Sequence, residues 1–291
     1  MPELHRRLVE VFEGMNATFE IVLVDDHDPY NSWDAVEQIC IADPRVHGIK
    51  LARNFGQIRA ITAGLDACKG DWVIVMDCDL QDRPEAIPQL YAKAMEGYDV
   101  VFAKRVERKD SPITLFFSRA FYKVYEYFTD GTYDASLCNF SIARRAVIEN
   151  YCKMREHNRG YTMFIKWLGF NQTSIEIEGD ERFAGSSSYS FSKKLAMAFE
   201  LITAQSNKPL KFSVNLGFTI SFLALLFLVV SVIRKLCFGD VSIGWTSLIC
   251  SVFLMGGLIL AAIGVVGLYV GNIFTEVKHR PLYVIEREVN N

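Results

Sequence analysis

With 291 residues, 51% of them hydrophobic, the chain has room for one α/β domain and a further module, and its net charge of −3 supplies no basic field for nucleic acid. Seven dispersed cysteines without a Cys-x-x-Cys pair argue against a disulfide framework and fit reducing surroundings.

The opening stretch, Met1 to Val11, is polar and charged and does not read as a secretory signal. Leu4, Leu8, Val11 and Phe12 recur at helical spacing, so Leu4–Glu13 is expected to be a helix. Glu20–Asp26 reads as a strand ending in two acids. The turn Asp25–Trp33 follows it. Ser32 or Asp28 could cap a helix there, while the place of Asp26 after a strand favours a ligand-binding role. Val46–Leu51 is a second strand. Arg53-Asn54-Phe55-Gly56-Gln57 comes next, with Gly56 allowing a sharp turn into a helix from Gln57 to Lys69 closed by Gly70. A helix start of this kind offers free N–H groups to an anion.

The stretch from Gly70 to Asp82 carries the strongest signal. Trp72–Met76 is a short apolar run, read as a buried strand, and Asp77 and Asp79 fall at its C-terminal end. Ligands of open α/β sheets bind outside the carboxyl ends of strands, and two carboxylates there can share a hard divalent cation with substrate phosphates. Solvated turn aspartates are the plainer alternative. Cys78 is expected to be a small buried residue facing away from both acids. Pro84 starts a helix to Glu96, and Tyr98–Ala103 is a strand running into the charged Lys104–Lys109. Leu115–Phe128 is aromatic-rich and helical. Ser136–Arg145 and Thr173–Glu178 are strands around a helix at Tyr161–Gly169. Glu181–Ser190 is rich in glycine and serine, and Phe191–Ser206 is amphipathic enough to lie in a membrane interface.

Phe212–Ile233 and Val241–Thr275 contain no Asp, Glu, Lys or Arg. Each exceeds the roughly 18 residues that suggest a membrane span, so two transmembrane helices are expected. Lys208, Lys211, Lys278 and Arg280 favour cytoplasmic ends. Arg234 and Lys235, in the connecting turn, vote the other way.

Asp77-Cys78-Asp79-Leu80-Gln81-Asp82-Arg83-Pro84-Glu85 resembles the Asp-x-Asp-Leu-Gln-x-Pro-Pro-Glu signature of family 2 glycosyltransferases, in the branch of polyprenyl-phosphate sugar transferases that includes dolichol-phosphate mannose synthases. Arg83 stands where proline is common. The Asp25–Trp33 turn, Asn54-Phe55-Gly56-Gln57, Ser136–Arg145, Glu181–Ser190 and Glu276–Tyr283 also resemble segments of that branch. Asn139 stands where an Asp is often found, and Ser186 and Ser188 replace Glu and Lys. No Gln-x-x-Arg-Trp motif is present, which disfavours a processive polysaccharide synthase.

The resemblance implies a GT-A (Rossmann-like), mostly parallel sheet flanked by helices over residues 1–189, then an interfacial helix and linker at 190–211, a two-helix transmembrane hairpin at 212–275 and a cytoplasmic tail at 276–291. It also implies an inverting transfer of sugar from a nucleotide diphosphate sugar, UDP favoured, to undecaprenyl or another polyprenyl phosphate. Asp77, Asp79 and Gln81 would hold Mg²⁺ or Mn²⁺. Asp26, Asn54 and Asp77 would bind the nucleotide. Arg105, Arg119 and Arg182 would handle phosphate, and Gly185, Ser187 and Tyr189 would belong to a lid. The catalytic domain is expected on the cytoplasmic side of the inner membrane, and a homo-oligomer is compatible with the family. The family normally opens with a further central strand ending in Pro-x-Tyr-Asn-Glu, which is lacking here, so the polypeptide as written is expected to be poorly stable or inactive. The alternatives are a membrane transferase acting directly on a glycan or glycolipid, and an inactive remnant.

Overall fold

The structure is a computed structural model that describes residues 1–105, 137–177, 206–238 and 244–290. Two compact units are present: Met1–Tyr189 together with Arg280–Asn291, and Ser190–His279.

In the first unit, the described elements run α1 (Pro2–Gly14), β1 (Ile21–Asp25), α2 (Trp33–Ala42), β2 (Val46–Leu51), α3 (Gln57–Ala67) and β3 (Trp72–Val75). A 3-10 turn at Pro84–Ala86 leads into α4 (Ile87–Met95), followed by β4 (Val100–Arg105), β5 (Leu137–Arg144), α5 (Arg145–Lys153), α6 (Tyr161–Trp167) and β6 (Gln172–Ile177). The second unit contributes α7 (Lys208–Phe238) and α8 (Trp245–Val277), and the chain returns to the first unit as β7 (Ile285–Val289).

The strands form two sheets, ordered β1-β2-β7 and β3-β5-β4-β6. The sheets are mixed rather than mostly parallel. β1–β2 and β4–β6 are parallel, whereas β2–β7, β3–β5 and β4–β5 are antiparallel. The cause is local. β5 turns back between β3 and β4, and β7 returns along β2. No ladder joins β1 to β3, so each is an edge of its own sheet.

Helices cover both faces of these sheets because the strands alternate. In β4, Val101 and Ala103 enter the core shared with Leu4 and Leu8 of α1, Trp33 and Val36 of α2, and Ile87 and Leu90 of α4. Val100 and Phe102, of opposite parity, enter the core with Leu65 of α3, Tyr151 of α5 and Phe164 of α6. Burying one such aliphatic side chain stabilises by about 1.5–3 kcal/mol. Arg159 is buried in the second layer. Its guanidinium lies over the rings of Tyr151 at 4.3 Å and Phe164 at 5.7 Å, and its Nη2 donates to the Tyr151 carbonyl at 3.2 Å. The aromatic faces partly offset the charge.

Several ends differ from the sequence expectation. α3 stops at Ala67 rather than Lys69, and Gly70 does not close it. Instead the Glu20 carboxylate accepts the N–H groups of Lys69 at 2.5 Å and Gly70 at 3.0 Å. Ser32 precedes α2 without a side-chain cap, because its hydroxyl donates to Asp25 at 3.3 Å.

α7 and α8 contain stretches, Lys208–Phe227 and Ser251–Val277, that are long and apolar enough to cross a membrane and contain no buried residues in their most apolar windows. They pack on one another, and the Tyr269 hydroxyl donates to the Ser206 carbonyl at 2.5 Å.

At Gly48 of β2 the sheet and α2 approach closely. A Cβ there would meet Cys40 Sγ at 2.9 Å, Val36 Cγ1 at 3.1 Å and the Trp33 ring at 3.4 Å. Overpacking of this kind typically costs about 1–3 kcal/mol. Gly48→Ala is therefore expected to lower the thermal midpoint of the full chain by several degrees in scanning fluorimetry, and a wild-type midpoint would contradict the tight packing of β2 on α2.

Candidate active site

The ends of β3 and β4 leave the same edge of the larger sheet. Val75 and Phe102 both stand opposite Ser141, on either side of β5. Asp77 and Arg105 follow two and three residues later. Their strands lie two spacings apart, about 10 Å. Asn139 lies in β5 between them.

The acidic turn is tightly wound. Asp79 Oδ1 accepts the Gln81 N–H at 3.1 Å, and Leu80 between them has φ +60. A left-handed conformation at a residue with a branched side chain costs about 1–2 kcal/mol. It is held because Leu80 packs against the core and Gln81 and Asp82 are buried. Asp79 and Cys78 are exposed, and Asp77 is partly so. Cys78 thus departs from the buried position expected of it. Its thiol is pushed up, first by desolvation and then by the charges of Asp77 and Asp79.

On the smaller sheet, Asp25 and Asp26 have separate tasks. Asp25 is buried and accepts the Asp28 N–H at 3.1 Å as well as the Ser32 hydroxyl, so it shapes the turn. Asp26 spans to the other loop: Oδ1 accepts the Phe55 N–H and Oδ2 the Gly56 N–H, both at 2.7 Å. Gly56 has φ +97, a backbone conformation open to glycine and strained for other residues. Asn54 is exposed beside it, and its carbonyl accepts Arg53 Nη1 at 3.1 Å.

One hydrogen bond unites the two sheets at this edge. Gln57, the first residue of α3, donates its side-chain N–H to Asp77 Oδ1 at 2.8 Å. The loop gripped by Asp26 is thereby fastened to the acidic turn. The sequence marks Gln57 as the start of a helix and assigns it no such bond. Its position directly after Gly56, at the helix start, was the available signal.

Asp26, Asn54, Asp77, Asp79 and Gln81 are thus brought to one region by β1, β3 and α3. Arg105 ends β4 at the same edge of the larger sheet. Arg119, Arg182, Gly185, Ser187 and Tyr189 lie outside the described residues. Among the described residues, no group of three or more His, Cys, Asp or Glu side chains is arranged to hold a metal ion. Two neighbouring carboxylates suit a hard cation that completes its shell with water and substrate phosphate oxygens, as Mg²⁺ commonly does.

Residues 2–152 match the model of the family described as "Glycosyl transferase family 2". The chain belongs to glycosyl transferase family 2. It is similar over nearly its whole length to several bacterial and phage members. It is 35% identical to "Uncharacterized glycosyltransferase YkcC" of Bacillus subtilis, over 98% of this chain and 88% of that protein. It is 33% identical to "Bactoprenol glucosyl transferase" of Shigella phage SfV, over 99% and 94% respectively. It is also 33% identical to "Undecaprenyl-phosphate 4-deoxy-4-formamido-L-arabinose transferase" of Pseudomonas savastanoi, over 100% and 87%. The family assignment, and with it glycosyl transfer, accords with the resemblance read from the acidic turn.

Asp26→Asn replaces one of two acceptor oxygens and leaves a backbone N–H at Phe55 or Gly56 without its partner. The expected loss of stability is about 1–3 kcal/mol, seen as a lower thermal midpoint of the full chain. An unchanged midpoint would mean that Asp26 does not hold this loop.

Proposed function

We propose that this family 2 enzyme transfers a sugar, with inversion, from a nucleotide diphosphate sugar to undecaprenyl or another polyprenyl phosphate, with UDP-sugars favoured as donors. The observation that carries the reading is the Gln57–Asp77 hydrogen bond. It draws a nucleotide-side loop and an acidic turn together at one sheet edge. The similarity to a bactoprenol and an undecaprenyl-phosphate transferase supports the acceptor class.

In this reading the two sheets together make up a GT-A domain. Asp26 and Asn54 bind the nucleotide side. Asp77 and Asp79, with Gln81, would hold Mg²⁺ or Mn²⁺, which when bound would neutralise charge on a diphosphate. Arg105, Arg119 and Arg182 neutralise and aim the acceptor phosphate, for which the guanidinium fork is suited. That phosphate is ionised near neutral pH and attacks without a strong general base. Gly185, Ser187 and Tyr189, outside the described residues, are the lid residues of this proposal. Residues 190–211 lie at the bilayer interface, 212–275 span it, and the catalytic domain and tail face the cytoplasm.

Membranes containing the full chain, given radiolabelled nucleotide sugars and Mn²⁺, should yield a lipid-extractable product that releases its sugar in mild acid. Asp79→Ala or a chelator should lower the rate at least about a hundredfold, the scale of losing a main electrostatic stabiliser. An acid-stable glycan product would instead favour a transferase acting directly on a glycan or glycolipid. No turnover with any donor would favour an inactive remnant.

A further inference from the structure

The segment after the second long helix, from Arg280 onward, has no part in the chemistry above, yet it is built into the donor side of the site. β7 pairs antiparallel with β2, Gly48 facing Val289 and Leu51 facing Ile285, and the Ala52 N–H donates to the Val284 carbonyl at 2.9 Å. β2 leads directly into the Arg53–Gly56 loop. Leu282 is buried, and the Tyr283 ring packs in the core of Ile49, Leu51 and Ala63 that also holds Phe55. Glu286 lies 3.8 Å from His27, the residue after Asp26, and 3.4 Å from Lys50.

The anchor of this segment is Asp66, near the end of α3. Its Oδ2 accepts the Tyr283 hydroxyl at 2.7 Å, and its two oxygens accept a fork from Arg155 at 2.8 and 2.9 Å. α3 is therefore fastened at both ends. Its first residue bonds Asp77 and its last turn bonds the tail. A helix is stiff along its axis, and moving one end moves the other.

We propose that Tyr283 is a positioning residue for the nucleotide donor. Through Asp66 and the shared core it sets the placement of α3, and so of Gln57, Phe55 and Gly56 against Asp77 and Asp26. Tyr283 stands in the chain between the second apolar helix and β7. The inference rests on the donor reading of the Asp26 side given above.

Tyr283→Phe tests it in the full chain, in nanodiscs, because the ring is kept and only the hydroxyl bond to Asp66 is lost. The expected result is a three- to tenfold rise in donor KM with kcat within twofold. Two controls separate positioning from stability. Arg45→Gln removes its fork to Asp43, in the turn between α2 and β2. Asn290→Ala removes bonds to the carbonyls of Cys40 in α2 and of Val46 at the start of β2, the end away from the loop. Both controls should lower the thermal midpoint at least as much as Tyr283→Phe and leave donor KM within twofold of wild type. Wild-type KM in Tyr283→Phe would overturn the proposal, as would an equal rise in both controls. If wild type itself transfers no sugar, the functional reading fails separately. The same comparison is then made on UDP affinity with Mn²⁺ by calorimetry. There a three- to tenfold weakening confined to Tyr283→Phe sustains the positioning role, and its absence ends it. If Tyr283→Phe does not fold, Asp66→Asn takes its place with the same two readings.

Discussion

The site depends on one constraint: two sheets that share no ladder must present their ends at fixed separation. α3 supplies most of it. On one side Asp26 holds the two N–H groups ahead of the helix, and on the other Gln57 holds Asp77. Hydrogen bonds to a charged carboxylate contribute about 1.5–3 kcal/mol each. The hydrophobic layers set the coarse distance, since Val22 of β1 packs with the core that contains Val73 and Val75 of β3. Packing alone is non-directional, and the carboxylate bonds supply the direction.

The same geometry concentrates negative charge. Asp25 ends β1, and Asp26, Asp77, Asp79 and Asp82 follow strand ends, in a protein of net charge −3. Unit charges 4 Å apart repel by about 4 kcal/mol at the effective dielectric near a protein surface. A diphosphate would not enter such a region unaided. Asp25 and Asp26 are occupied by N–H and O–H donors, so part of the charge is already spent on structure.

Much of this was legible in the sequence, and the reasons are specific. Val46–Leu51 and Trp72–Val75 are apolar runs bounded by turns, so their strands were found almost to the residue. The Asp-x-Asp turn was recognisable because its function requires its residue types. What escaped detection depends on partners distant in the chain. The antiparallel course of β5 follows from where Arg144 meets Trp72, not from its own pattern. Cys78 was judged by strand alternation, but the strand ends at Val75 and the left-handed Leu80 turns the chain outward. The Gln57 bond joins positions twenty apart, and no local period encodes it.

β7 shows the same limit most clearly. Its sequence, Ile285-Glu286-Arg287-Glu288-Val289, is charged in the middle and mostly exposed, so it offers no hydrophobic face to read. Such charges suit an edge strand, where they discourage pairing with another chain. The strand exists because β2 presents an unpaired edge and because Leu282 and Asn290 fix the segment at both ends. A tail of low intrinsic preference that orders only against β2 and α3 reports on their position, and they in turn depend on it. That mutual dependence makes Arg280–Asn291 part of the first compact unit rather than of the apolar helices.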